Sequence, residues 1–337
     1  MTRRRNILFA FMSLTLALNA ASQTNVATTI GEFLLIEPSS RISAMGNAGS
    51  SCTNEPMAAY YNPAALGTMT MFGAQFTHSA WLADIAYDYA IAVVPTTGSA
   101  SLMLNVTSLR SGDIAVRTVE QPSGTGEYYS VSDLAFGVGY GVKVTDRISA
   151  GLQVTYMQET IWHSSMSAFG LNLGTQYRLT DNGVIIGASL SNFGSRDNFT
   201  GRDLRVVYAM NPAQHGENNA LPAELHTDTY GLPILFRVGL AVPFQLAEGH
   251  NIVLVADAFH PNNNTESISV GGEYLLLNTF AVRAGYQNLF EQDSEVGLTL
   301  GAGVLIEASG TDVRLDYGWT QYGRLGDVQR LSIGMLF

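Results

Sequence analysis

The sequence predicts an all-β protein: a transmembrane antiparallel β-barrel of about fourteen strands with an N-terminal plug. Three observations lead there. Apolar side chains alternate with small or polar ones through most of the chain. The chain starts with an export signal. It ends on Phe337, after Leu331, Ile333 and Met335 on the same face, the pattern of a lipid-facing closing strand.

Residues 1–22 read as a signal peptide. Arg3, Arg4 and Arg5 form the positive region, Ile7 to Leu18 the short apolar region, and Ala20-Ala21-Ser22 the small-residue cleavage site. The apolar run is too short to span a bilayer core, which takes about 20 residues. The lone cysteine, Cys52, lies far from a lipoprotein position and cannot form an intrachain disulfide. Hydrophobic residues make up 46% of the chain and charged ones 13%, against about 25% charged in soluble domains, so an outer surface facing lipid is expected. The 34 glycines, 15 Phe and 15 Tyr fit the same surface. A formal charge of −11 argues against nucleic acid as a partner, because phosphate binding needs clustered Lys and Arg.

Residues 23–69 do not alternate and are rich in Ala, Gly and Ser. Small side chains suit a plug packed inside a barrel, and the apolar run Phe33-Leu34-Leu35-Ile36 needs burial. The barrel is expected over 70–337. Period-two segments place strands near 70–78, 85–95, 99–108, 131–143, 148–162, 165–179, 184–192, 233–244, 250–259, 266–276, 280–290, 295–307, 312–321 and 327–337. An even count brings both mature termini to the periplasmic side. Turns such as Thr145-Asp146-Arg147 and Leu277-Asn278-Thr279 are short, while 109–130 and 193–232 are long. Short turns belong to the periplasmic end of such barrels and long loops to the outer end.

Three stretches resemble the N-terminal region of PorV/PorQ proteins, outer-membrane barrels related to the FadL fatty-acid transporters. They are Gly31-Glu32-Phe33-Leu34-Leu35-Ile36, Ser40-Arg41-Ile42-Ser43-Ala44-Met45-Gly46-Asn47-Ala48-Gly49 and Tyr60-Tyr61-Asn62-Pro63-Ala64-Ala65-Leu66. Ser191-Asn192-Phe193-Gly194, Gly272-Glu273-Tyr274 and Val282-Arg283-Ala284-Gly285-Tyr286 continue the likeness. The resemblance implies a fourteen-stranded barrel with an N-terminal hatch, in which Asn62 and Pro63 form the plug motif. It also implies one of two roles: an accessory of type IX-like protein secretion that binds exported proteins through its outer loops, or a FadL-like channel for hydrophobic or small solutes. Partners beyond membrane lipid would be exported proteins, other secretion components or a hydrophobic solute. A lateral gate would need a broken strand, and 99–108 holds no Gly or Pro.

Strand parity puts Asp88, Asp133, Lys143, Arg178, Arg237, Asp257, Glu273, Arg283, Glu307, Arg314 and Asp316 in the lumen. Glu32, Glu37, Arg41 and Glu55 are the plug's candidate partners for them. Ionisable groups at this depth pair with one another or line water, so a polar network between lumen and plug is expected. Phe199, Tyr208, Met210 and Tyr230 make the 193–232 loop a candidate partner surface. His78-Ser79 and His163-Ser164 are the only arrangements hinting at hydrolysis, and Glu224, His226 and Asp228 the only hint of chelation. None has the spacing of a known site. No cofactor, no metal and no enzymatic activity are expected.

Overall fold

The computed structural model describes residues 28–180, 183–208, 221–291, 294–308 and 310–337, so the expected signal peptide, residues 1–22, and Met210 lie outside the described residues. Fourteen antiparallel strands form the wall: β1 Gly73–Ala80, β2 Ala86–Thr97, β3 Ala100–Arg110, β4 Val131–Lys143, β5 Ile148–Ile161, β6 Ser164–Arg178, β7 Ile185–Gly194, β8 Leu235–Ala247, β9 His250–Pro261, β10 Ser267–Leu276, β11 Phe280–Leu289, β12 Leu298–Ala308, β13 Thr311–Gln321 and β14 Asp327–Leu336. Each pairs with its sequence neighbours, and β1 pairs with β14 from Gly73↔Leu336 to Ala80↔Gln329, so the sheet closes without an edge. Strand ends differ from the sequence expectation by at most three residues. Alternation fixes strands well because a one-residue slip would turn every apolar side chain inward.

The outward face is apolar. Phe76, Leu104, Phe136, Val138, Leu152, Phe169, Val282, Leu300, Leu315 and Leu331 are all exposed on it. That surface is stable only against hydrocarbon, which makes the wall that of a transmembrane barrel. On the lumen side, glycines line the wall where the plug packs against it. A Cβ added at Gly151, Gly187, Gly271 or Gly285 would come within 2.2 Å of the backbone of Pro63, Ser50, Met45 or Gly46 respectively. The wall carries glycine where the plug backbone touches it.

Residues 29–69 run down the lumen in short turns. Helix α1 (Ser40–Ser43) is capped by the Ser39 hydroxyl, which accepts from Ile42 N at 3.1 Å; helix α2 (Ala58–Tyr61) follows. A 3-10 turn over Pro63–Thr68 then leads to β1. Asn62 and Pro63 start this turn in two ways. The Asn62 carboxamide oxygen accepts from Ala64 N at 3.1 Å, and Pro63 sits where its missing N–H costs nothing. The Asn62 amide also donates to Thr175 O of β6 at 3.0 Å and to Ser50 O at 2.8 Å, so one side chain ties plug to plug and plug to wall.

Phe337 closes the short-turn end, donating to Phe72 O, and the first described residues lie at the long-loop end, where Thr29 bridges to Gly231 and Ile30 N donates to its carbonyl; the expected mature N-terminus, at residue 23, lies outside the described residues. One expectation needs correction. Parity places Asp88 in the lumen. On β2 the lumen positions are instead Tyr87, Tyr89, Ile91 and Val93, all buried against the plug, so Asp88 points outward with His78 (2.8 Å) and Arg110 (3.6 Å) near the long-loop rim. The larger apolar residues of this strand face inward because the plug buries them.

Candidate functional site

The lumen network gathers around Arg41 of α1. Its guanidinium forms a fork on Glu273, with Nε to Oε2 at 2.8 Å and Nη2 to Oε1 at 2.6 Å, and reaches Glu55 at 3.0 Å. Arg283 completes the Glu273 site from β11 at 2.6 Å and binds Asp316 at 2.7 Å. Arg314 contacts Asp316 at 2.9 Å, Glu55 at 3.4 Å and Glu273 at 3.6 Å. Three guanidinium groups thus face three carboxylates, two of the six groups coming from the plug. The balance explains how such buried charge is tolerated: each ion has several partners, which offsets the cost of leaving water.

Other expected lumen residues stand apart from this cluster. Asp257 accepts from both Ser50 N and Ser50 Oγ at 2.9 Å. Arg237 is 2% exposed, donates to Ser191 Oγ at 3.3 Å and lies among the rings of Tyr60, Tyr61 and Phe259, each within about 6 Å, the reach of a cation–π contact. Arg178 lies at the opposite mouth with Lys143, Asp146 and Arg147, around a small cleft of about 170 Å³. Glu32 sits at the long-loop mouth, bonded to Thr29 and to Asn263 Nδ2 at 2.6 Å; burial pushes its carboxyl above the ordinary range, and the two hydrogen bonds oppose that rise.

Sequence reading missed the buried ion pair of Arg330 with Glu37 at 2.7 Å, beneath Trp81 and beside Tyr322. Its signal was present, since Arg330 alternates with Leu331, Ile333 and Met335 on β14. Cys52 is buried, its thiol pushed up to about 12 by burial, and it donates weakly to Ala48 O.

The catalytic hints dissolve. His78 points outward to Asp88, while Ser79 points inward and donates to Gln329 O. His163 is held by Asp203 and Arg202 rather than by Ser164. Among the described residues no three His, Cys, Asp or Glu side chains converge as a metal site, the Glu224–Asp228 stretch included.

A cavity of about 680 Å³ lies at the long-loop mouth, between the start of the plug and the upper wall. Ile30, Phe33 and Ile36 of the plug, Trp81, Ile85, Leu109 and Ile161 of the barrel, and Phe199 and Tyr230 of the long loop line it. Phe199 and Tyr230 pack on a cluster containing Ile30, Phe33, Met157, Met166 and Leu232, so they do not lie on an outer partner surface as expected. Tyr208 is exposed, on the ribbon pairing Arg205–Tyr208 with Leu221–Glu224. The cavity follows from the apolar run Phe33-Leu34-Leu35-Ile36, which the fold places against the outer ends of β3 to β5.

The sequence matches no known family profile and no curated protein. Solved structures share the fold. A FadL homologue of Pseudomonas aeruginosa matches with a TM-score of 0.56 at 14% identity, over 93% of this chain and 99% of that one. The toluene transporter TbuX of Ralstonia pickettii gives 0.54 at 13%, over 89% and 98%. The toluene transporter TodX of Pseudomonas putida gives 0.53 at 13%, over 94% and 99%. This chain therefore has the fold of the FadL-type outer-membrane barrels, a closed wall of fourteen strands around an N-terminal plug.

Proposed function

We propose that this protein admits small hydrophobic solutes through the outer membrane, taking them first into the cavity at the long-loop mouth. One observation carries the reading: a mostly apolar space of about 680 Å³ built jointly by plug, wall and long loop, at the mouth a solute from outside would meet. Its size and lining are those of small-molecule sites, mostly apolar with a few polar groups. The barrels of like fold that are described as toluene transporters and monoaromatic hydrocarbon channels support the same class of solute. Below the cavity, glycine-to-backbone contacts close the lumen, so a solute does not fall straight through; the first plug turn, Glu32–Leu35, must shift or the solute must leave through the wall. The test is uptake of labelled butylbenzene by cells carrying the chain or its Leu109→Trp variant, which fills the cavity. Uptake above vector level that the variant lowers supports the proposal; uptake equal to vector level overturns it.

A second reading, attachment of exported proteins as in PorV/PorQ-type secretion accessories, is favoured by one feature. The outer ribbon exposes Val207, Tyr208 and Leu221, more apolar surface than a freely solvated loop needs. Replacing Val207 and Tyr208 with Ser should release co-purified exported proteins if this reading holds, and leave solute uptake unchanged.

A further inference from the structure

The long-loop cavity carries a charge pattern that passage of plain hydrocarbons does not use. Asp133 of β4 and Glu159 of β5 are direct cross-strand partners, and both line the cavity. Side chains so placed start about 5 Å apart, and like charges there repel. Glu159 accepts from Gly31 N at 2.7 Å. Asp133 is 8% exposed and has no hydrogen bond or ion pair among the described residues. A third carboxylate, Glu32, lies on the same rim, and no Lys or Arg lines the space. Arg110, at the end of the adjoining strand, is turned outward to Asp88. The rest of the lining is largely apolar and aromatic, Phe33, Trp81, Ile85 and Phe199 among it.

A carboxyl left without a cation in a part-dry site either keeps its proton or is compensated by a cation from outside the chain, so a cationic ligand gains there what a neutral one does not. Calcium would need about six to eight oxygen ligands, and among the described residues no acidic group is assembled to hold a metal. Carboxylates set in a largely apolar and aromatic lining match a ligand with one positive end and an apolar body. Resting on the passage proposed above, we infer that the cavity prefers amphipathic organic cations, aryl- or alkylamines, with the ammonium between Asp133 and Glu159 and the apolar body against Phe33, Trp81 and Phe199. An anionic solute of the same skeleton is repelled by the same pair.

The test uses the purified full chain in non-ionic detergent at about pH 7.5, titrated with n-butylbenzene, 4-phenylbutylamine and 4-phenylbutyrate. Fluorescence of Trp81 is the readout, with Trp81→Phe as the blank. The amine should bind at least tenfold more tightly than the hydrocarbon, about 1.4 kcal/mol, and the acid more weakly than either. The Asp133→Asn/Glu159→Gln variant is isosteric, and the new carboxamide oxygen at position 159 can still accept from Gly31 N. It should abolish the amine's advantage over butylbenzene, bringing the two to the same affinity. Butylbenzene binding with no preference for the amine, or a preference that survives the double substitution, overturns the inference and leaves the passage intact. Failure of all three to bind overturns both.

Discussion

Substituting Glu273 by Gln removes one charge from the cluster that fastens the plug to the wall, and the structure sets the scale of the effect. Glu273 is 6% exposed and accepts two bonds from Arg41 and one from Arg283, all at 2.6–2.8 Å. Without its charge, Arg41, Arg283 and Arg314 face only Glu55 and Asp316. Removing one member of a buried pair costs about 3–5 kcal/mol, because the partner stays buried and uncompensated. That corresponds to roughly two to four powers of ten in the folding constant. Urea unfolding in lipid vesicles, followed by tryptophan fluorescence, measures it, with the midpoint falling and the slope unchanged. Arg41→Gln in the same chain restores two cations facing two anions, so the double variant should lose less than the two single losses together, by about 1–3 kcal/mol. A Glu273→Gln protein within about 1 kcal/mol of the parent, or a double variant whose loss is the full sum, would refute the claim that these ions act as one plug-to-wall lock.

Three further outcomes follow from the same structure. Val282 is 62% exposed toward lipid while its neighbour Ala281 faces the lumen, so Val282→Arg should cost about 2–4 kcal/mol near the midplane in vesicle unfolding. Gly285→Val should displace the plug, since a Cβ there already meets Gly46 N at 2.2 Å; single-channel conductance should rise and the 28–69 segment become open to protease. Cys52, buried and with its thiol pushed up to about 12, stays protonated at about pH 8 and should resist maleimide in the folded barrel yet react fully once urea unfolds it.

Strands and lumen parity were legible in the sequence because lipid imposes a period of two: Arg283 inside and Val282 outside follow from that rule alone. The rule fails on β2. There Tyr87, Tyr89, Ile91 and Val93 are apolar and face inward, because the plug offers them a dry surface, and Asp88 is left outside with His78 and Arg110. The Arg41–Glu273–Arg283 cluster was legible as a set of inward charges, but its pairing was not, since the plug has no period to give it a register. Alternation put small residues on the inner face, but which plug backbone each glycine admits depends on contacts that no local pattern shows. Strand count constrains the wall and not a segment running inside it, so it gives no position for Thr29, which lies at the long-loop end. The cavity was invisible for the same reason. It joins Phe33, Trp81, Leu109 and Phe199, residues from four separate stretches that no local pattern connects.

The most direct test of the account is to soak crystals of the barrel with 4-bromotoluene and locate the bromine by its anomalous scattering. The account predicts a peak inside the long-loop cavity, among Phe33, Trp81, Leu109, Ile161 and Phe199, above the plug. Bromine found only on the lipid-facing wall, with that cavity empty at saturating concentration, would contradict it.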